Sequence, residues 1–283
     1  MSVLTRRLVA SLPGAAVAIT TIAAGSLLWG LGTGAWARFS LGFFTQAPTG
    51  AGRTGGIAPM LFSTLVVVAL ALALAAPVGL GAALFLHDRL ESARGAGRVL
   101  VRTGVDVLGA VPSIVFGMFG NALFVRTLGF GFSLLSGSLT LAIMIVPLLI
   151  RVVVSGLETT PEAHLQAGAA LGLGRATMVR AVLLPAALPA LVAGLVLGTA
   201  RALAETAALL FTSGYADRMP ASVWDSGRTL SVHIYDLTMN VPGGNASAQA
   251  TAAALVLGVF IVELLASGIV LYISRGRSQG EDA

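Results

Sequence analysis

The chain has 283 residues, of which 56% are hydrophobic and only 10% are charged. Ordinary soluble domains are neither so apolar nor so poor in charge, so the composition indicates an integral membrane protein. The sequence contains no cysteine, which excludes disulfides, zinc–thiolate sites and cysteine nucleophiles. All 17 basic residues are arginine, so a phosphate-binding loop ending in lysine is impossible, and any ATP hydrolysis must come from a partner.

The formal net charge of +5 does not indicate a nucleic-acid partner. The arginines are scattered among short connectors and form no basic face, which a nucleic-acid-binding surface requires. The three histidines are far apart and show no metal-ligand spacing. We therefore expect no nucleic acid, no metal and no cofactor.

Six apolar stretches are long enough to cross the hydrocarbon core of a membrane as helices. They lie at about 9–31, 57–86, 104–125, 131–154, 188–212 and 250–273. Pro77 and Gly79 lie inside the second stretch and allow a tilt or a kink there. The sequence therefore predicts an all-α membrane protein with six transmembrane helices in a single domain, residues 1–283.

The placement of the arginines predicts the orientation of these helices. Eleven arginines fall in the termini and connectors of one side, and five fall on the other side. Because positive residues are enriched in cytoplasmic connectors, both termini are predicted to be cytoplasmic. Two connectors are longer than a turn requires: 155–187 on the cytoplasmic side and 213–249 on the outer side.

The cytoplasmic connector has the pattern of two short helices. The first begins near Pro161, Gly172 and Gly174 permit a sharp bend, and Pro185 ends the motif as the chain re-enters the membrane. Such a pair forms a projecting knob that suits a groove on another protein. The alternative is a pair of interfacial helices that lie on the lipid headgroups.

Two charged residues stand inside the fifth apolar stretch, in the segment TARALAETAALL (199–210). Arg201 and Glu205 are four positions apart, so a continuous helix would project both side chains from one face. One interpretation is a neutralising pair that fastens this helix to a neighbour. The other is that the face lines a translocation route, where the guanidinium offers paired donors to the oxygens of an anion.

The cytoplasmic connector resembles the coupling motif of ABC importer permeases, written E-A-A, three residues, G, nine residues, I, one residue, L-P. The matching positions here are Gln166, Ala167, Gly168, Gly172, Val182, Leu184 and Pro185. The glutamine and the second glycine depart from E-A-A, whereas the spacing of glycine and L-P is intact.

Four further stretches are similar to the PstA-type phosphate permeases. They are FFTQAP (43–48), VPSIVFGMF (111–119), ARALAETAALLFTSG (200–214) and LSVHIYDL (230–237). Members of that family more often carry a glycine and a proline where Ala204 and Ala208 stand.

The resemblance implies a type I ABC importer permease with a MetI-like architecture and cytoplasmic coupling helices at 157–187. It implies a multi-pass protein of the bacterial inner membrane that has no catalytic chemistry of its own. Its expected partners are the lipid bilayer, a second homologous permease, two cytoplasmic ATPase subunits and an extracytoplasmic phosphate-binding protein. Arg201 and Glu205 are then expected to line the phosphate route.

Several alternatives remain open at this stage. The substrate of the same architecture could be sulfate, molybdate or tungstate, or the chain could be the sister permease of the phosphate pair. Alternatives of another class are an ion-driven secondary carrier and a membrane signalling scaffold. Competition by the other oxyanions distinguishes the substrates, and dependence on ATP distinguishes an ion-driven carrier. A signalling role would be revealed by variants that no longer transport but still signal.

Smaller features carry weaker predictions. Asn121 is expected to form a hydrogen bond between helices, and Gly194 and Gly198 are expected to pack closely, against the partner permease. The outer connector mixes charges of both signs. It is either the docking site of the binding protein or a loop packed over the pathway.

Overall fold

The computed structural model describes residues 17, 20–26, 28–30, 32–34, 38–92 and 96–281. The predicted span 9–31 therefore lies largely outside the described residues, although those described within it are helical. The elements from residue 41 onward are α1 (Leu41–Thr45), β1 (Pro48–Thr49), β2 (Thr54–Gly55), α2 (Ala58–Ser92), α3 (Ala96–Ala110), α4 (Ser113–Thr127), α5 (Leu134–Leu157), α6 (Glu162–Ala170), α7 (Arg175–Ala204), α8 (Ala207–Leu210), α9 (Leu230–Met239) and α10 (Asn245–Glu281).

The protein is mostly helical, and the predicted all-α class needs one small correction. Strands β1 and β2 pair antiparallel, with Pro48 opposite Gly55. The turn between them runs through Gly50, Ala51 and Gly52, which all have positive φ angles. Glycine adopts this conformation without steric cost, which is why the hairpin closes here.

Four described helices are long and apolar enough to cross a membrane, namely α2, α5, α7 and α10. The bent pair α3 and α4 would add a fifth, so the described part of the chain contains four or five candidate spans rather than the six predicted. The predicted spans 57–86, 131–154 and 250–273 overlap with α2, α5 and α10, of which α2 and α10 are longer than predicted.

The predicted third span, 104–125, is wrong as a single helix. The axes of Arg102–Ala110 and Ser113–Thr127 differ in direction by 86°. Pro112 causes the break, because proline has no N–H to donate and disfavours helical backbone at the preceding residue, Val111. Consequently α3 and α4 are separate elements that meet at a corner.

The predicted fifth span, 188–212, is wrong at both ends. Helix α7 begins at Arg175 in the cytoplasmic connector and ends at Ala204. Pro185 therefore lies inside a helix and does not end one. A π-helical turn, Val179–Leu183, lies just before Pro185. Because proline has no N–H to donate, the α-helical hydrogen-bonding pattern has to change in this turn.

Helices α2, α5 and α7 form the core through close contacts at glycine. Cβ atoms built at Gly79 and Gly194 would lie 2.7 Å and 3.0 Å from side-chain atoms of Leu149 on α5, and one at Gly198 would lie 3.0 Å from Ile145. The prediction that Gly194 and Gly198 face the partner permease is therefore wrong. These glycines bring α7 close to α5 within the chain.

Candidate functional site

Arg201 lies in the last turn of α7 and its side chain is exposed. Within the described part of the chain it has neither a hydrogen bond nor an ion pair. The surrounding helix is strongly apolar, with a mean hydropathy of 2.2 over its most apolar window. An unpaired guanidinium is therefore presented on the outside of this single subunit at the end of a membrane-crossing helix.

Glu205 stands where α7 ends, and its side chain has an environment different from that of Arg201. Its backbone is extended, with φ −74° and ψ 125°, because α7 has ended one residue earlier. Glu205 is buried, at 9% exposure, and its Oε1 accepts a hydrogen bond of 3.2 Å from the backbone N–H of Ala208. No ion pair joins Arg201 and Glu205, although the structure describes both residues.

The physical reason for the break is the local bonding of the glutamate. Its carboxylate satisfies a backbone donor at the start of α8, as capping residues do at helix N-termini. Its backbone oxygen accepts a hydrogen bond of 2.6 Å from the hydroxyl of Ser231 on α9. Ser231 was not expected to have a role, and only the stretch LSVHIYDL that contains it had been singled out.

Helix α4 packs directly against α8, the short helix that follows the break. A Cβ atom at Gly117 would lie 2.8 Å from the Cα atom of Ala208. Asn121 donates a hydrogen bond of 2.7 Å from Nδ2 to the backbone oxygen of Phe211. The expected interhelical role of Asn121 is thus confirmed, and α4 is fixed to the segment beside Glu205.

Arg228 organises the outer connector. It donates from Nη1 to Asp236 Oδ2 at 2.7 Å, and from Nε and Nη2 to the backbone oxygen of Tyr215 at 3.1 and 2.9 Å. The same Nη1 lies 3.3 Å from Nδ1 of His233, which is 1% exposed. Burial, reinforced by the Arg228 charge, lowers the pKa of His233 to about 4.

Three charges of the outer connector are used within the chain. Arg228 and Asp236 are paired and largely buried, with side-chain exposures of 11% and 14%. Asp225 accepts hydrogen bonds from the backbone of Ala221 and Ser222 at 2.8 and 3.2 Å. The exposed part of this connector is marked instead by Trp224, which is 56% exposed and stacks edge-on against Phe130.

The cytoplasmic connector has the predicted helix and bend. Helix α6 occupies Glu162–Ala170, and Gly172 has a φ of +66°, the left-handed conformation that permits the bend. Gln166 and Ala167 are exposed, whereas Gly168 is buried. A Cβ atom at Gly168 would overlap with the end of the Met178 side chain, so the glycine at this motif position makes room for methionine.

A groove of about 610 Å³ lies along this connector. Of the seven predicted coupling residues, it is lined by Ala167, Gly168, Val182 and Pro185. Leu171 also lines it and is 78% exposed. The other three predicted positions, Gln166, Gly172 and Leu184, do not line this groove.

Charged residues at the root of this connector form contacts that the sequence did not indicate. Arg102 of α3 pairs with Glu158, which follows the last residue of α5, and Asp106 of α3 pairs with Arg151 of α5 at 2.8 Å. The partners are far apart in sequence, so no local pattern brings them together. Together they line a cavity of about 260 Å³.

The chain combines membrane-crossing helices, one of which ends at a polar break, with a helical connector between two of them. These features define a multi-pass membrane permease. The chain belongs to the family described as the binding-protein-dependent transport system inner membrane component, whose model matches residues 75–278. It is thus a multi-pass inner membrane protein and a non-catalytic permease subunit of an ABC importer, a class that works with ATPase and binding-protein partners.

Individual relatives agree with this family. The chain is 29% identical over 252 residues to the probable ABC transporter permease protein YqgI of Bacillus subtilis, covering 83% of this chain and 85% of the relative. It is 31% identical over 228 residues to the phosphate transport system permease protein PstA 2 of Mycobacterium bovis, covering 80% and 75%. Identity to PstA 1 of Mycobacterium tuberculosis is 32% over 227 residues, covering 79% and 73%.

Solved structures support the fold. A MetNI methionine ABC transporter in an inward-facing conformation matches with a TM-score of 0.61 and 20% identity, over 77% of this chain and 95% of the other. A bacterial alginate ABC transporter, in complex with an alginate-bound periplasmic protein, matches with a TM-score of 0.64 and 15% identity, over 96% and 98%. At these identities the similarity describes the architecture, not the substrate.

Proposed function

We propose that this chain is a permease subunit of an ATP-driven importer of inorganic phosphate. The observation that carries the proposal is the exposed, unpaired guanidinium of Arg201 at the end of a membrane-crossing helix. The relatives named as phosphate permeases, at 31% and 32% identity, support the choice of substrate.

The argument from Arg201 is electrostatic. A charge at membrane depth costs several kcal/mol unless it is paired or faces a water-filled cavity. The described part of the chain offers Arg201 no partner, and in this proposal the compensation comes from a water-filled route and the anion in it. A pathway between this chain and a second homologous permease provides water and a passing anion, and the planar fork of donors in arginine matches the oxygens of phosphate.

Glu205 keeps a place in the proposal with a different geometry. Its buried carboxylate fixes the break between α7 and α8, and that break ends the helix just after Arg201. The pathway role of Glu205 is thus to hold this backbone and to place a negative charge near the route. Hydrogen phosphate retains a P–OH group that can donate a hydrogen bond to a carboxylate oxygen. Sulfate near neutral pH has no proton and cannot donate one.

The coupling role is assigned to the cytoplasmic connector, residues 157–187. Its exposed surface on α6 and the groove beside it fit insertion into a partner, because exposed apolar residues such as Leu171 mark binding surfaces. Two cytoplasmic ATPase subunits would move this connector and its counterpart in the second permease. A phosphate-binding protein would dock at the opposite end, with both termini of this chain in the cytoplasm.

Another oxyanion is the second candidate substrate. YqgI, the relative with 83% coverage of this chain, is named only as a probable ABC transporter permease, with no stated substrate. A guanidinium alone does not separate phosphate from sulfate or molybdate. The sequence also left an ion-driven carrier open. Membership of the ABC importer permease family speaks against that alternative.

The test is uptake of radiolabelled phosphate in cells that lack other phosphate importers. Arg201→Ala should reduce uptake about tenfold or more, which corresponds to the loss of a charge-assisted hydrogen bond. Arg126→Ala is the matched control, because Arg126 is also exposed but lies at the end of α4. Co-purification of the ATPase shows whether each variant assembles.

Two results would contradict the proposal. Normal uptake by an assembled Arg201→Ala variant removes this residue from the pathway. Equal competition of phosphate uptake by sulfate or molybdate at the same concentration makes the substrate a broader class of oxyanions.

A further inference from the structure

Helix α3 is attached to the rest of the chain along a narrow seam. Among its described side chains from Val99 to Ala110, only that of Val105 is partly buried, and the others are exposed. Two ion pairs, Arg102–Glu158 and Asp106–Arg151, join its described part to α5 and to the residue that follows α5. We refer to these four residues as the charge ladder.

The ladder joins two functional regions of the proposed transporter. Glu158 directly follows Leu157, the end of α5, and so stands at the root of the cytoplasmic connector. At its other end α3 meets α4 at the corner of 86° formed by Val111 and Pro112. Helix α4 then packs on Ala208 through Gly117, three residues from Glu205.

The strength of the ladder suits a contact that forms and breaks. The side chains of Arg102 and Glu158 are 45% and 36% exposed, and those of Arg151 and Asp106 are 54% and 60% exposed. Ion pairs in contact with water add little net stability, because solvent competes for both charges. Their interaction still favours one register of α3 on α5, because each charge of α3 faces an opposite charge on Arg151 of α5 or on Glu158 just after it.

We infer that the charge ladder links movement of the cytoplasmic connector to the break beside Glu205. Displacement of the connector pulls Glu158, the ladder shifts α3 along α5, and the corner at Pro112 turns this shift into movement of α4 against α8. Arg102, Asp106, Arg151 and Glu158 are positioning residues in this scheme. The inference rests on the proposed function only for its transport readout.

The first experiment uses charge reversal in the assembled transporter reconstituted in vesicles. Arg102→Glu should lower the phosphate imported per ATP hydrolysed about fivefold, and so should Glu158→Arg, each by placing like charges together. The double variant Arg102→Glu/Glu158→Arg should recover at least half of the normal ratio. Arg126→Glu is the control, since this exposed arginine lies outside the ladder.

Recovery in the double variant shows that the attraction between the two charges carries the effect. The ratio of import to ATP hydrolysis, measured on assembled transporter, separates coupling from loss of folding. An unchanged ratio in the single variants overturns the inference. So does a double variant that assembles normally and is as impaired as the singles.

A second experiment cross-links the same two positions and compares the cross-linked transporter with the same variant before cross-linking. The chain contains no cysteine, so Arg102→Cys/Glu158→Cys places the only two thiols at the ladder. A reversible bifunctional thiol reagent should stop phosphate uptake and alter ATP hydrolysis, and reduction should restore both. Full activity of the cross-linked transporter overturns the inference, because positions 102 and 158 would then not need to move relative to each other during transport.

The two proposals fail in different ways. A wild-type transporter that imports no phosphate contradicts the proposed substrate. The ladder is then judged by ATP hydrolysis, which cross-linking should change and reduction should restore in the same vesicles. Unaltered hydrolysis there also counts against the ladder.

Discussion

The hydroxyl of Ser231 donates a 2.6 Å hydrogen bond to the backbone oxygen of Glu205, and both residues are buried. This contact joins α9 of the outer connector to the point where α7 ends. A carbonyl released by the end of a helix needs a new donor, and Ser231 supplies it. The break beside Arg201 is thus held by α9 of the outer connector as well as by the glutamate side chain.

Ser231→Ala should therefore destabilise the protein. Removing the donor leaves the buried carbonyl oxygen of Glu205 unsatisfied, which costs about 1–3 kcal/mol. The measurement is the unfolding midpoint of the purified protein in detergent. Thr238→Ala, on the same helix, is the control, because its exposed hydroxyl only adds a second bond to the carbonyl of Ile234.

Equal midpoints for Ser231→Ala and the wild type would contradict this account of the break. A loss of stability in Thr238→Ala as large as that in Ser231→Ala would also contradict it, since the loss would then belong to α9 in general.

Substitutions at Glu205 should separate its two roles. Glu205→Gln keeps an oxygen that can accept from the N–H of Ala208 and removes the charge, whereas Glu205→Ala removes both. We expect the alanine variant to lose about 1–2 kcal/mol of stability, as capping residues do. The glutamine variant should retain most of this stability and lose phosphate uptake, because the charge near the route is gone.

Uptake and thermal stability are measured on the same preparations. If Glu205→Gln imports phosphate normally, the carboxylate acts only as a cap and has no part in the pathway. If both variants are equally unstable, the hydrogen bond to Ala208 is not what holds the break.

The positions of the helices could be predicted from the sequence where continuous apolar runs determine them. They could not be predicted where individual hydrogen bonds determine the end of a helix. Continuous apolar runs located α2 and α5 to within a few residues, because crossing a membrane sets both length and composition. Hydropathy does not register a helix that continues through Pro185, nor one that stops at Ala204. The break depends on bonds to Ala208 and Ser231, and the second of these residues is distant in sequence.

The candidate site divides in the same way. The residue types of Arg201 and Glu205 marked the correct region, since charges are rare within apolar stretches. Their spacing did not reveal that the two side chains are unpaired, with Arg201 exposed and Glu205 buried. The charge ladder was not predicted at all: Arg102 and Glu158 are 56 positions apart, and only the packing of α3 on α5 brings them together.

The contact of α4 with α8 should not tolerate even one added methyl group. A Cβ atom at Gly117 would lie 2.8 Å from the Cα atom of Ala208, which is backbone and cannot rotate away. Gly117→Ala should cost about 1–3 kcal/mol, the usual range for overpacking. Gly104→Ala, in α3, is the matched control because nothing lies within 4 Å of a Cβ atom there.

The measurement is again the unfolding midpoint, together with phosphate uptake. Gly104→Ala should be neutral or slightly stabilising, since alanine favours helix more than glycine does. If Gly117→Ala is as stable as this control, the two helices are not in the close contact described.

Acidification should destabilise the outer connector through His233. Its pKa is lowered to about 4 in the folded protein, first by burial and then by the Arg228 charge, from an ordinary value of 6.5; Asp236 and Asp217 oppose the shift. Between these two pH values the unfolded chain binds a proton that the folded protein does not. The free energy of unfolding therefore falls as pH drops from 6.5 towards 4, by about 3 kcal/mol in total for this group.

The comparison with His233→Gln isolates this contribution. Glutamine retains a polar side chain near Arg228 but does not titrate, so the difference in unfolding free energy between wild type and variant should shrink steadily as pH falls through this range. Unfolding by denaturant in detergent, at closely spaced pH values, measures that difference while other carboxylates contribute equally to both proteins. Parallel curves for the two proteins would mean that His233 takes up its proton equally well in the folded and unfolded chain, and would refute the burial argument.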